Sequence, residues 1–136
     1  FIAPDPFFRG TTLVSDEQTI DTNPTTYTLT NTGSAVERNP KIVLTGPLQN
    51  TVITNLTNGC TLTYTGTIDS PRVVTIEMVN GVYVATDDTS ANVIGNVTHS
   101  GEAALMVIDA GANSMSVADE TATSGTVKVE FYPPFA

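Results

Sequence analysis

Apolar and polar residues alternate with period two along Thr25-Thr-Tyr27-Thr-Leu29-Thr, Lys41-Ile42-Val-Leu44-Thr, Thr61-Leu62-Thr-Tyr64-Thr and Val127-Lys-Val129-Glu-Phe131. Successive side chains of a strand point to opposite faces, so this alternation predicts half-buried antiparallel strands. The run Arg72-Val-Val-Thr-Ile76-Glu77 reads as a further strand, and the apolar stretch from Glu102 to Ile108 reads as a buried one. The phase of each strand predicts one shared core made by Ile42, Leu44, Leu62, Tyr64, Val74, Ile76, Leu105, Val107, Val127, Val129 and Phe131. About two dozen threonines and many valines agree with this, because β-branched side chains suit a pleated surface and lose rotamer freedom in helices.

Turn signals divide these strands at short intervals: Asn39-Pro40, Gly46-Pro47, Ser70-Pro71, Asn80-Gly81 and Ser124-Gly125. Asn80-Gly81 has the composition of a two-residue hairpin turn in which both central residues take φ > 0. No window holds a sustained 3.6-residue apolar stripe longer than Glu102 to Ile108. Many short strands at this spacing predict an all-β, antiparallel sandwich or jelly roll of about ten strands. Immunoglobulin-like packing stays open at this point, although the Cys-Trp-Cys spacing of antibody domains is absent.

Size and charge narrow the function. At 136 residues the chain suits one domain, since a chain of this length buries roughly two-thirds of its unfolded surface. Residues 1–10, Phe-Ile-Ala-Pro-Asp-Pro-Phe-Phe-Arg-Gly, lack the basic end and long apolar core of a signal peptide and read as a connector from a preceding region, leaving residues 11–136 as the domain, or equally as a mature N-terminus whose Phe7 and Phe8 cover the core edge. No apolar run is long enough to span a bilayer, so a membrane partner is not expected. A net charge of −9 opposes a phosphate backbone, so nucleic acid is not an expected partner either.

Candidate chemistry is sparse. One cysteine, Cys60, allows no internal disulfide and reads as a small apolar residue opening an inward face; one histidine, His99, allows no His-pair metal site and reads as a loop residue. The acidic residues Asp16, Glu17, Asp69, Asp87, Asp88, Asp109, Asp119 and Glu120 lack the spacing of an EF-hand loop. No Gly-x-Ser-x-Gly elbow or phosphate-binding glycine loop is present, and a carboxylate pair of glycosidase type needs a separation that sequence does not measure. Two sequons, at Asn55 and Asn96, are expected by chance in a chain with ten asparagines and roughly a quarter Ser and Thr. The reading is therefore a non-enzyme without a cofactor or metal.

One ordered set of motifs goes further. Asn31-Thr-Gly33 leads to Asn39-Pro40, then to Lys41-Ile42-Val-Leu44-Thr and Gly46-Pro47. Downstream come Asn55-Leu-Thr-Asn-Gly59, Thr61 to Tyr64, the strand ending at Glu77, Asn80-Gly81, Ala104 to Asn113, and Thr126 to Tyr132. In order and content this resembles the C-terminal domain of phage tail components, especially the distal tail protein of long-tailed phages, over roughly residues 25 to 135. Two positions depart from that family's pattern: Glu77 stands where an Asp is usual, and Ala110 replaces a proline.

The resemblance implies a galectin-like β-sandwich. It further implies a structural module of a distal tail, minor tail or baseplate protein, located in the virion tail and part of a homo-oligomeric ring. Its partners would be other tail or baseplate proteins or host-surface glycans. The alternative is a carbohydrate-binding module of a receptor-binding protein, or a bacterial surface adhesin domain. Sugar sites favour a flat aromatic beside polar groups; with no Trp, the weak glycan contacts of this chain would fall to Tyr27, Tyr64, Tyr83 and Tyr132.

Overall fold

The alternating segments do become strands, and they sort into two layers. The computed structural model describes residues 8–100 and 106–135. Within them run β1 (Phe8–Arg9), β2 (Val14–Ile20), β3 (Thr25–Asn31), β4 (Lys41–Thr45), β5 (Leu48–Asn55) and β6 (Thr61–Ile68). These are followed by β7 (Val73–Val79), β8 (Val82–Asp87), β9 (Val97–His99), β10 (Gly111–Ala118), β11 (Gly125–Phe131) and β12 (Pro134–Phe135). One five-stranded antiparallel sheet has the order β3-β10-β5-β6-β9 and the other β2-β11-β4-β7-β8. The chain is thus an antiparallel β-sandwich. It changes sheet between β2 and β3, β3 and β4, β4 and β5, β6 and β7, β8 and β9, and β10 and β11, so the layers are woven together and neither can leave without the other.

Burial follows the alternation. In β11 the pattern Val127, Val129, Phe131 faces inward while Thr126, Lys128 and Glu130 stay partly exposed; β4 does the same with Ile42 and Leu44. These meet Leu62, Tyr64, Val74 and Ile76 in one cluster, joined by Ile20, Leu29, Leu48, Ile53, Met115 and Val117. Cys60 packs against this cluster, half-buried. At the β7–β8 hairpin Asn80 and Gly81 have φ of 51° and 78°, the left-handed pair that a two-residue turn matched to strand twist requires.

Three expectations need correction. The described part of the segment before β10, from Met106, is not a strand, and its phase is the reverse of the one expected: Met106 and Ile108 are buried while Val107 is only half-buried. Among the described residues it is held by an isolated bridge from Ile108 to Glu37 and a bond from the Met106 amide to the Arg38 carbonyl, so the inward face is set by that distant corner rather than by a sheet. Leu105 lies outside the described residues. His99 is not in a loop: it ends β9, paired with Leu62, because a short edge strand can form from polar residues when its neighbour supplies the ladder. Within residues 1–10, Phe8 and Arg9 pair with Phe135 and Pro134; residues 1–7 lie outside the described residues.

Polar side chains lock the connections. Asn31, 1% exposed, donates to the carbonyls of Ala35 (2.9 Å) and Ile108 (3.3 Å), and its Oδ1 accepts the Gly33 amide at 2.9 Å. Asn55 donates to the Val107 carbonyl at 2.9 Å and to Asn113 Oδ1 at 3.0 Å. Asn113 in turn donates to the carbonyls of Leu29, Asp109 and Gly111. Buried amides with this many partners order a loop, because each lost bond would leave a desolvated group behind. Asp119 works likewise: its carboxylate accepts from Gln49 and Ala122 amides, Thr51 and Thr121 hydroxyls and the Thr121 amide. Burial alone would raise its pKa, but these donors outweigh it and hold the group below the ordinary carboxylate value.

Candidate functional site

The four tyrosines do not assemble into a platform. Tyr64 is 4% exposed, in phase with Leu62 on β6, and its hydroxyl accepts from Asn96 at 3.3 Å; its ring is part of the core, so it offers no exposed face for a sugar to stack on. Tyr27 sits half-buried on β3 with its hydroxyl enclosed, and that burial, with Asp16 nearby, pushes the phenol well above its ordinary pKa. Tyr83 donates to Asn39 Oδ1 at 3.0 Å and meets the His99 ring edge-on at 5.3 Å, closing the side of the sandwich where β8 and β9 lie. Tyr132, half exposed, lines the larger of two described concavities; Tyr64 borders the smaller one, beside Asp69, Arg72 and Asp87.

The larger concavity is a groove of about 470 Å³ where β4 begins and β7 and β11 end, closed on one side by the 37–39 corner. Phe131 and Met78 form its apolar lining at depth, with Leu13 (41% exposed) and Tyr132 on the rim. Lys41 and Glu130 stand directly opposite each other on neighbouring strands, an opposite-charge pair of the kind that stabilises a sheet. Glu77 adds a second carboxylate from β7, and Glu37, only 4% exposed, a third from the corner. Glu130 is also held by Lys128 at 3.4 Å. The lining side chains thus include three carboxylates and one ammonium, with the Lys128 ammonium bonded to Glu130 beside them.

The remaining acidic pairs have structural work. Asp87 accepts from the Thr89 hydroxyl and from the Ala91 and Thr89 amides, which lowers its pKa, and Asp87 and Asp88 both bond Arg72. No cluster of three or more His, Cys, Asp or Glu side chains suited to a metal occurs among the described residues. What the arrangement can do is bind: a partly apolar trough with a few convergent polar groups is the usual form of a ligand or side-chain pocket.

Of the groove, only Tyr132 was named from sequence as a contact. Lys41, Glu77 and Glu130 carried a usable signal, being outward-facing charges on strands already recognised. Leu13, Glu37, Asn39 and Met78 carried none, since their meeting depends on the corner folding back over the end of the second sheet. Comparison with protein-family models, curated proteins and solved structures finds no match to this chain.

Proposed function

We propose that this chain is a non-enzymatic building and docking module of a phage tail tip, comparable to the C-terminal domain of a distal tail, minor tail or baseplate protein. It sits on the virion, in a ring of identical copies, and contacts neighbouring tail subunits or host-surface glycans. The observation that carries this reading is the job done by the motif residues. Asn31, Asn55 and Asn113 tie the connections of the sandwich through buried amides. Gly33 stands where a Cβ would fall 2.0 Å from the Pro134 carbonyl oxygen. The ordered motifs are thus a signature of how this sandwich closes, which supports reading them as a shared fold rather than as unrelated turns.

Many copies in a ring convert weak contacts into firm attachment, because linked sites act at high effective concentration. A single tight site is then not required. Mass spectrometry of purified phage particles, split into head and tail fractions, tests the reading. The chain is expected in the tail fraction, in a fixed multiple-copy ratio to other tail proteins. Its presence in the infected-cell lysate but in neither particle fraction would overturn it.

A further inference from the structure

We propose that Asn80 is a site of spontaneous deamidation, a slow covalent change that the fold admits at the tip of the β7–β8 hairpin and withholds at the chain's other Asn-Gly pair, Asn58-Gly59. The Gly81 backbone nitrogen attacks the side-chain carbonyl carbon of Asn80 and gives up its proton. A new C–N bond closes a five-membered imide, the bond to Nδ2 breaks, and ammonia leaves carrying a proton in exchange. Solvent water then opens the imide at either carbonyl, giving aspartate or isoaspartate. Asparagine is among the thermolabile residues, and a following glycine has no side chain to hinder its own nitrogen. Both Asn-Gly pairs meet that requirement, so their surroundings must separate them.

At the tip the reacting groups are unrestrained. Asn80 and Gly81 are exposed, the flanking Val79 and Val82 are 42% and 62% exposed, and a Cβ on Gly81 would have nothing within 4 Å. Among the described residues no partner holds the Asn80 side chain. Ring closure requires Asn80 to rotate out of its turn conformation, and its φ of 51° is one that a residue with a side chain adopts at a cost, so that departure is weakly resisted. Only the Val79–Val82 pair has to loosen, and an exposed hairpin end opens at the low end of the local stability range. At the other pair every group is tied. Asn58 Nδ2 donates to the Val107 carbonyl at 2.8 Å and to Asp109 Oδ1 at 3.3 Å, and its Oδ1 accepts the Cys60 amide at 3.0 Å. The Gly59 amide, the nucleophile itself, donates to the Asn55 carbonyl at 2.7 Å. The two products at the tip differ in effect: aspartate suits the turn as asparagine does, whereas isoaspartate puts an extra backbone carbon into a two-residue turn and disturbs the register of β7 and β8.

The test is incubation of the folded chain in mildly alkaline buffer at physiological temperature. Peptide mass spectrometry follows amide loss at each asparagine, and enzymatic methylation counts isoaspartate. Asn80 is expected to deamidate about tenfold faster than Asn58, the factor that one or two retained hydrogen bonds supply. In urea, with both pairs in an open chain, the two rates should converge. Asn80→Gln, checked for a native-like spectrum, should abolish the fast release of ammonia from the folded chain and leave the slow one. Asn58 reacting as fast as Asn80 in the folded chain, a rate ratio unchanged by unfolding, or an Asn80 that reacts in urea but stays intact in the fold would each overturn the proposal. None of these outcomes bears on where the chain sits in a particle.

Discussion

Gly46→Ala is expected to destabilise the domain by about 3–5 kcal/mol in urea unfolding, and Gly59→Ala by about 1–2 kcal/mol. The difference comes from what each position touches. A Cβ on Gly46 would lie 2.3 Å from the Ile68 carbonyl oxygen and 2.6 Å from the carbonyl carbon and oxygen of Asp69, all backbone atoms that cannot rotate away. To relieve that contact the β4–β5 and β6–β7 connections must separate. This breaks the bond from the Gly46 amide to the Arg72 carbonyl at 2.9 Å and disturbs Leu48 and Ile68, which are 0% and 3% exposed. Gly59 has φ of +80° but nothing within 4 Å of its Cβ position, so alanine there meets only left-handed backbone strain. Equal losses at the two glycines would mean that the connections are not in contact as described.

The second large effect is expected at Asn113. Asn113→Ala removes an acceptor for the Asp109 amide at 2.9 Å and for the Asn55 side chain, and a donor to three carbonyls. The site is 0% exposed, so water cannot replace these bonds without opening the loop. The expected loss is about 3–4 kcal/mol, from several buried polar groups left without partners at once. Asn113→Leu, similar in volume but apolar, should lose at least as much. That comparison separates a polar lock from simple filling of space, because a packing role would be restored by leucine.

These residues also explain which parts of the molecule were legible in the sequence. Strand phase in β4, β6, β7 and β11 was readable because a period of two and one buried face leave no other register that keeps Ile42, Leu62, Ile76 and Val129 inside. The Asn80-Gly81 turn was readable because its chemistry is local. Around Met106 and Ile108 local chemistry was insufficient: several consecutive apolar residues fit either phase, and the bridge to Glu37, 71 positions away in sequence, chooses one. Tyr64 shows the same conflict in one side chain, since its phase placed it in the core while its ring chemistry suggested a contact surface. Burial at 4% resolves this in favour of phase. The groove was the least legible part, because it joins residues from before β2, the 37–39 corner, β4, β7 and the end of β11.

The buried Glu37 belongs to both halves of the account. It fixes the phase of the segment before β10 through its backbone, its amide donating to the Ile108 carbonyl at 2.9 Å and its own carbonyl accepting from the Ile108 amide at 2.7 Å. Its side chain lines the groove. Fold and groove are therefore coupled at one corner, the same corner that opens with Asn31 and Gly33 and on which the resemblance to tail proteins begins.

The most direct test of the central claim is location on the particle. Gold-labelled antibody raised against this chain, applied to intact phage particles and viewed by electron microscopy, should decorate the tip of the tail, with several labels around one ring. Labelling of the host cell envelope while particles stay bare, or gold on the heads alone, would contradict the assignment of this sandwich as a tail docking module.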